Sequence, residues 1–338
     1  MSSDNAAILD SAILVSLNGA DATALLAITG DPTSKSVSLP ALVPNALYTA
    51  VIEVTDVNGE TNSATIKFDT FDQSHYMVEA EDYDFGGAMF IDDPVPTAAA
   101  APNSYREKLG TADIDFGDTQ NNGDKIYRTL DAMATPVAND FLRQKFDDAG
   151  VSDHKIGWFD SGEWANYTRT WPAGEFLVYG RLAGNPGNAF SLYLEKVTGG
   201  VGTITQTTEQ LGRFGGTAGG WDTYEWVQLT DEELANPLTV QLGGEETLRL
   251  YTTGNNDPNF FMLVPVGSAP LVLTATTGGG NVQLSFPTAN GVGYELLYKD
   301  DLDDPQWTMM TTVIGDGTTM SVSEPLAGDT RFYVLSRP

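Results

Sequence analysis

The stretch Ile156–Thr168, with the sequence IGWFDSGEWANYT, dominates the interpretation of the chain because it is its densest aromatic segment. Two tryptophans, a phenylalanine and a tyrosine share it with two carboxylates and two glycines. The glycines favour a turn, and the Trp, Tyr and Thr residues after Gly162 favour a strand. The stretch therefore predicts a loop of half-polar rings that leads into a core strand, and such a loop can present the face of Trp158 to a ligand.

The composition favours a multidomain protein made of strands. A length of 338 residues predicts two or three domains, and 35 glycines and 17 prolines are typical of many short strands joined by turns. The absence of cysteine excludes disulfides and thiolate metal sites, and two histidines are too few for a histidine-rich metal site. No apolar run reaches the roughly 18 residues that a membrane-spanning helix needs, so membrane insertion is not expected.

The net charge of −29 narrows the set of partners. Nucleic acids and anionic membrane surfaces require clustered lysines and arginines, so neither is expected. The carboxylates either keep the chain soluble or bind divalent cations. Calcium is the expected cation because oxygen ligands are plentiful and histidine is scarce. The polar start, Met1–Asn5, lacks the regions of a signal peptide. The chain is therefore either cytoplasmic or, as we favour, a piece of a longer protein that is secreted or on the cell surface.

Strand patterns divide the chain into three predicted β-sandwich domains in tandem, an all-β fold. Residues 1–71 predict five strands of an immunoglobulin- or cadherin-like module. It is one or two strands short at its start, as expected after truncation from a larger parent. The exposed sheet edge that this leaves could support self-association. Residues 75–267 predict a larger sandwich with a long polar insertion at about 92–152, and residues 270–338 predict a small fibronectin-like sandwich.

Four pieces in the central domain resemble, in order and spacing, a family 6 carbohydrate-binding module, which is a galactose-binding-like jelly roll. The four pieces are Glu79–Tyr83, Ile156–Thr168, Gly219–Tyr224 and Leu248–Phe261. The resemblance implies that a glycan is bound without catalysis.

In that family a sugar ring lies between two aromatic side chains, here Trp158 and Trp221, and a polar side chain at the position of Asp257 bonds a hydroxyl. Asp257 stands where the family usually has Asn, so the neighbouring Asn255 and Asn256 are candidate donors, and Glu163 of the central piece is a further candidate contact.

Each of these tryptophans has an alternative interpretation, a ring packed beneath its own loop, because large aromatics are buried on average. Trp164 and Tyr167 are expected in the core, since they lie within the predicted strand. Exposure of Trp158 and Trp221 in the structure separates the two interpretations.

The resemblance also implies a structural calcium held by Glu79, Glu81 and Asn259. Side chains repeat every two residues on a strand, so Glu79 and Glu81 share a face and repel each other unless a cation lies between them. The alternative is that both carboxylates are solvated. Asn259 replaces a frequent Asp, which predicts a weaker site.

Two other functional classes stay open. Carboxylate pairs such as Asp160 and Glu163 could catalyse glycoside hydrolysis. His154, just before the central loop, is the one histidine placed to take part. A chain this acidic forms such pairs by chance, and we expect no enzyme. Three sandwiches in a row could instead form an adhesive stalk or fibre subunit in which the aromatics serve packing.

Overall fold

The computed structural model describes residues 6–39, 42–95, 101–142, 153–234, 236–266, 272–288, 293–314, 318–326 and 330–336. In these ranges the regular structure is twenty strands and one three-residue 3-10 helix, which confirms the all-β class. No helix in the described ranges is long and apolar enough to cross a bilayer. The contacts divide the chain into two compact units, Ser74–Val266 and a unit made of Met1–Gln73 with Gly267–Pro338. The division into three domains stays a prediction, and its boundary at residue 270 lies outside the described residues.

The N-terminal segment forms a four-stranded antiparallel sheet and a hairpin. In the sheet, ordered β2-β1-β5-β6, β6 is an edge strand that pairs with β5 and is almost wholly exposed. Self-association through this edge stays a prediction. The strands are β1 (Ile8–Leu17), β2 (Ala20–Asp21), β3 (Ala27–Asp31), β4 (Ser34–Ser38), β5 (Leu47–Asp56) and β6 (Thr61–Asp69), and the 3-10 helix is Thr23–Leu25.

The unit Ser74–Val266 is built around one strand of 21 residues, β9. The first half of β9 pairs with the end of β13. Its second half pairs with β14, and it also pairs with the start of β13 and, a few residues further on, with β12. Since β12 also pairs with β11, the path β12-β11-β10-β13-β9 closes on itself. The strands are β7 (Tyr76–Glu79), β8 (Phe116–Gly117), β9 (Trp164–Gly184), β10 (Leu192–Gly199), β11 (Thr207–Phe214), β12 (Glu225–Thr230), β13 (Thr239–Thr252) and β14 (Asn256–Pro265).

The core of this unit is one cluster of buried residues drawn from most of its strands. It holds Tyr167, Trp171, Leu248 and Phe261, all buried. The prediction that Tyr167 is a core residue is confirmed, whereas the same prediction for Trp164 is wrong. The two residues are three positions apart on a strand, so they point to opposite faces, and Trp164 lies half-buried on the outer face.

The insertion predicted at about 92–152 contains one two-residue strand, β8, in its described part; residues 96–100 and 143–152 lie outside that part. Arg128, which is fully buried, connects distant parts of the insertion with one another and ties the insertion to Tyr83 in the rest of the unit. The guanidinium donates to the carbonyls of Tyr83 (2.8 Å) and Lys108 (2.7 Å) and pairs with Asp131 at 2.9 Å. Polar contacts here fix a long loop that has little regular structure.

The C-terminal segment forms two three-stranded sheets with a common apolar core. The sheets are ordered β15-β16-β19 and β18-β17-β20, and Leu284, Phe286 and Leu296 lie at the centre of the core. The strands are β15 (Thr274–Gly278), β16 (Asn281–Pro287), β17 (Gly293–Lys299), β18 (Thr308–Ile314), β19 (Thr319–Pro325) and β20 (Phe332–Ser336).

A hydroxyl in the core ties β9 to the end of β7. The Tyr167 hydroxyl donates to the Ala80 carbonyl at 2.8 Å, and both residues are fully buried. Tyr167→Phe is expected to lower the free energy of unfolding of this unit by about 1–2 kcal/mol, because a buried carbonyl loses its donor. Tryptophan fluorescence in a denaturant titration measures this, since five of the six tryptophans lie in this unit. The control Tyr193→Phe, on the half-buried outer face, should change stability little; an equal loss in both variants would contradict the assignment.

Candidate functional site

Trp158 stands on a short loop whose neighbours are fixed to the core. Ile156 and Phe159 are fully buried, and their amides donate to carbonyls of β14 at 3.0 and 3.2 Å. Between them Trp158 has a φ of +50°, a conformation that residues with a side chain rarely adopt. Its ring is 44% exposed. The anchors on either side thus present this indole to solvent, as the sequence predicts for a ligand-binding ring.

Trp221 occupies a second loop, between β11 and β12, and is 40% exposed. Two glycines precede it, and Asp222 after it has a φ of +59°. The Asp222 carbonyl accepts a hydrogen bond from the Phe141 amide at 2.8 Å. The described end of the insertion, which carries the exposed Phe141 ring, is therefore attached to the loop of Trp221.

A buried ammonium joins the two loops. Lys155 Nζ lies 2.7 Å from Oδ2 of Asp257 and 3.3 Å from Oδ1 of Asp222. The other Asp257 oxygen, Oδ1, accepts a hydrogen bond from the Trp158 amide at 3.1 Å. Burial raises the pKa of Asp257, and the Lys155 charge and its hydrogen bond oppose that rise. One lysine thus connects the backbone that carries Trp158 to the residue that follows Trp221.

Three of the polar residues predicted to contact a ligand hold the loops in place. Asp257 is engaged at both oxygens, as described above. Asn256 is 1% exposed, and its amide donates to the hydroxyls of Thr252 (2.7 Å) and Ser191 (3.1 Å). Glu163 is 2% exposed; it accepts hydrogen bonds from the Thr119 amide and hydroxyl through Oε1 and from the Asp160 amide through Oε2.

A polar cluster lies beside Trp158, and the sequence indicated two of its members, Asp160 and Asn255, without predicting that they meet each other or Asn122. The Asp160 carboxylate accepts hydrogen bonds from the side-chain amides of Asn122 (3.3 Å) and of Asn255. Asn255 is exposed and the other two are half-buried. Gly123, which follows Asn122 in the sequence, lies against the indole of Trp158: a Cβ at Gly123 would be 2.4 Å from Cε3 of the ring. Part of the insertion therefore forms one wall of the Trp158 site, which no local signal in the sequence indicates.

The carboxylates predicted for calcium come together with a third one. Ligand atoms of Glu79, Glu81 and Asp153 all lie within 4.8 Å of one another. Asn259 is adjacent, but its amide nitrogen donates to Oδ2 of Asp153 (2.9 Å) and to the His154 carbonyl (3.0 Å). Asp153 comes from the far end of the insertion, so its part in the cluster was not visible in the sequence.

The electrostatics of this cluster favour a cation. Glu81 is 4% exposed, and its Oε2 has no hydrogen-bond partner in the described part of the chain. Burial first, and then the charges of Glu79, Asp82 and Asp153, raise the pKa of Glu81 well above its ordinary value. A divalent cation would lower that pKa, because it offsets both the burial and the repulsion.

Comparison with known proteins gives likenesses in structure only. No family model matches the chain, and no curated protein matches it. Among solved structures, it is similar to a family 6 carbohydrate-binding module studied for its binding sub-sites, with 12% identity and a TM-score of 0.32 over 57% of this chain and 95% of that one. It is also similar to CsCBM6-3 from Clostridium stercorarium in complex with cellobiose, with 18% identity and a TM-score of 0.27 over 39% and 82%.

A third similar structure belongs to work on the promiscuous specificity of carbohydrate-binding modules of the β-sandwich superfamily. It has 12% identity and a TM-score of 0.20 over 78% of this chain and 87% of that one. Because the sequence identities and TM-scores are this low, any inference about function depends on the residues of this chain.

The contact between Gly123 and the indole is open to a direct test. Gly123→Ala should lower stability by about 1–3 kcal/mol beyond the backbone cost and shift the Trp158 emission, because the new methyl group overlaps the ring. Gly187→Ala is the matched control: its φ of +79° is close to the +73° of Gly123, and nothing lies within 4 Å of its Cβ position. Denaturant unfolding and fluorescence compare the two, and equal effects would contradict the packing of Gly123 against Trp158.

Proposed function

We propose that this chain binds a saccharide without changing it, through the indole faces of Trp158 and Trp221. The observation that carries the proposal is the Lys155 ammonium, which ties the loops of two exposed tryptophans to one point. Exposed indoles that are held in place bury the apolar face of a pyranose and lose little rotamer entropy in doing so. The aromatic pair implied by the sequence resemblance is the same pair.

The polar contacts to the saccharide are assigned to Asp160, Asn122 and Asn255 rather than to the buried Asn256 and Glu163. These three are joined by hydrogen bonds beside the loop of Trp158, and each amide has a second N–H available for a hydroxyl. Asp257 serves to position Trp158 and Lys155. The site is open, so its affinity is expected to be modest.

Binding without catalysis is the favoured role because the carboxylates near the two indoles already have protein partners. Both oxygens of Glu163 and of Asp257 accept hydrogen bonds, and Asp160 accepts two from side-chain amides. A glycosidase needs one carboxyl to donate a proton and another to act as a base or nucleophile. The same proposal places the chain in a larger protein that is secreted or on the cell surface, where polysaccharides are met.

A calcium ion at Glu79, Glu81 and Asp153 forms the second part of the proposal. Three carboxylates offer hard oxygen ligands of the kind that calcium prefers, and the hydrogen bond from Asn259 orients Asp153. The ion would stabilise the junction between the end of β7 and the last residues of the insertion, close in sequence to Lys155. Its role is structural.

The saccharide proposal predicts that either indole is needed. A glycan array followed by calorimetric titration should identify a ligand for the wild-type chain. Trp158→Ala and Trp221→Ala should each weaken that binding about thirtyfold or more, since loss of a central aromatic costs about 2 kcal/mol or more. Trp307→Ala is the control, because Trp307 is similarly exposed but lies in the other unit. Unchanged binding in both site variants, with unfolding curves like wild type, would refute the proposal.

The calcium proposal predicts that Glu81→Gln has opposite effects on thermal stability in the presence and in the absence of metal. Chelation should lower the melting temperature of the wild-type chain, and added calcium should restore it. Glu81→Gln should abolish this response and should make the metal-free chain more stable than metal-free wild type, because a buried repelling charge is gone. Glu209→Gln, at an exposed position on β11, is the control. A melting temperature that chelation leaves unchanged, together with no bound metal in elemental analysis, would contradict the site.

A further inference from the structure

Four arginines are buried in the unit Ser74–Val266, and one of them differs from the rest. Arg128 pairs with Asp131 at 2.9 Å, Arg169 lies 3.7 Å from Asp84, and Arg181 pairs with Asp140. Arg249 is 9% exposed, yet no carboxylate oxygen of the described residues lies within 4.0 Å of it. In a chain with 46 acidic and 17 basic side chains, a buried cation without a contacting carboxylate is unexpected.

The contacts of Arg249 are neutral ones. Its Nε donates to Oδ1 of Asn166 at 2.9 Å, and Nη2 donates to Oε1 of Gln206. The guanidinium lies over the Trp164 ring, 3.8 Å from the ring centroid. Glu195 is opposite on β10, and its charge raises the pKa of Arg249, but burial dominates and lowers that pKa to about 10. The charge is thus held in place but only partly compensated.

An open groove of about 430 Å³ lies over this arginine, on the outer face of the sheet. Trp164, Arg249 and Gln206 line it together with Ile204 and Asp113. Ile204 is 75% exposed and offers an apolar edge. Nη1 of Arg249 makes no hydrogen bond to the described residues, so it is free to donate to a ligand in the groove. A groove of this size accommodates one or two sugar units.

We propose that this groove binds a carboxylate, namely a uronic acid unit of an acidic saccharide. The carboxylate would accept from Nη1 of Arg249, with Gln206 holding the guanidinium, and the sugar ring would lie along Ile204. Asp113 at the rim disfavours a doubly charged group beside the guanidinium, which favours a carboxylate, with its single charge, over a phosphate monoester. The site is separate from Trp158 and Trp221 and does not depend on the function proposed for them.

Gln206→Glu tests the proposal by supplying the carboxylate from the chain itself. Calorimetric titration compares oligogalacturonate with the neutral galactose oligomer of the same length. Wild type should bind the acidic oligomer at least about tenfold more tightly. Gln206→Glu should lose this preference and melt at a higher temperature, because Arg249 gains a partner. Trp158→Ala should leave the preference unchanged, so failure here is distinguishable from failure of the saccharide proposal. Equal affinity of wild type for both oligomers would overturn the inference.

Asp113→Asn tests the remaining alternative, in which the Asp113 side chain changes rotamer in solution and forms an ion pair with Arg249. If the groove accepts a carboxylate ligand, this variant should bind oligogalacturonate more tightly than wild type and keep its melting temperature, because a like charge leaves the rim. A fall in melting temperature with no gain in affinity would show that Asp113 is the missing counter-ion and would overturn the proposal.

Discussion

The ion pairs of Lys155 are the interaction on which the candidate saccharide site depends. Lys155 is 6% exposed, and its ammonium contacts two carboxylates that are 35 positions apart in sequence, Asp222 on the loop of Trp221 and Asp257 at the start of β14. A buried pair of this kind stabilises the fold only weakly, but its removal leaves carboxylates facing each other away from water. It therefore connects the backbone that carries Trp158, through Asp257, to the residue that follows Trp221.

The composition of the core explains why the loops of Trp158 and Trp221 can expose their rings to solvent. The core is complete without Trp158 and Trp221, since Tyr167, Phe261 and their neighbours fill it. Ile156 and Phe159 return the chain to that core on either side of Trp158, so the positive φ between them is stabilised by burial nearby. Strand β9, which contributes Tyr167 to this core, presents Trp164 on its outer face under Arg249 and so takes part in the proposed carboxylate groove.

The sequence predicted the features that depend on local pattern. Alternating apolar residues gave the all-β class, and glycines beside Trp158 and Trp221 indicated loops on which the structure exposes both rings. Glu79 and Glu81 come together as expected, but not through strand alternation, because β7 ends at Glu79 and Glu81 lies in the turn that follows. Contacts between distant residues were not predictable: Lys155 meets a partner 102 positions away, and Asp153 joins the carboxylate cluster from the insertion. Asn256 and Glu163 have the chemistry of ligand contacts, but their roles depend on partners that local pattern does not reveal.

Oxidative footprinting of tryptophans, read by mass spectrometry, tests the central claim most directly. With no ligand, Trp158, Trp221 and Trp307 should all be oxidised, in keeping with their exposure. With a polysaccharide that the chain retains, the account predicts protection of Trp158 and Trp221 together while Trp307 reacts as before. Oxidation of both site tryptophans at the same rate with and without bound polysaccharide would contradict it.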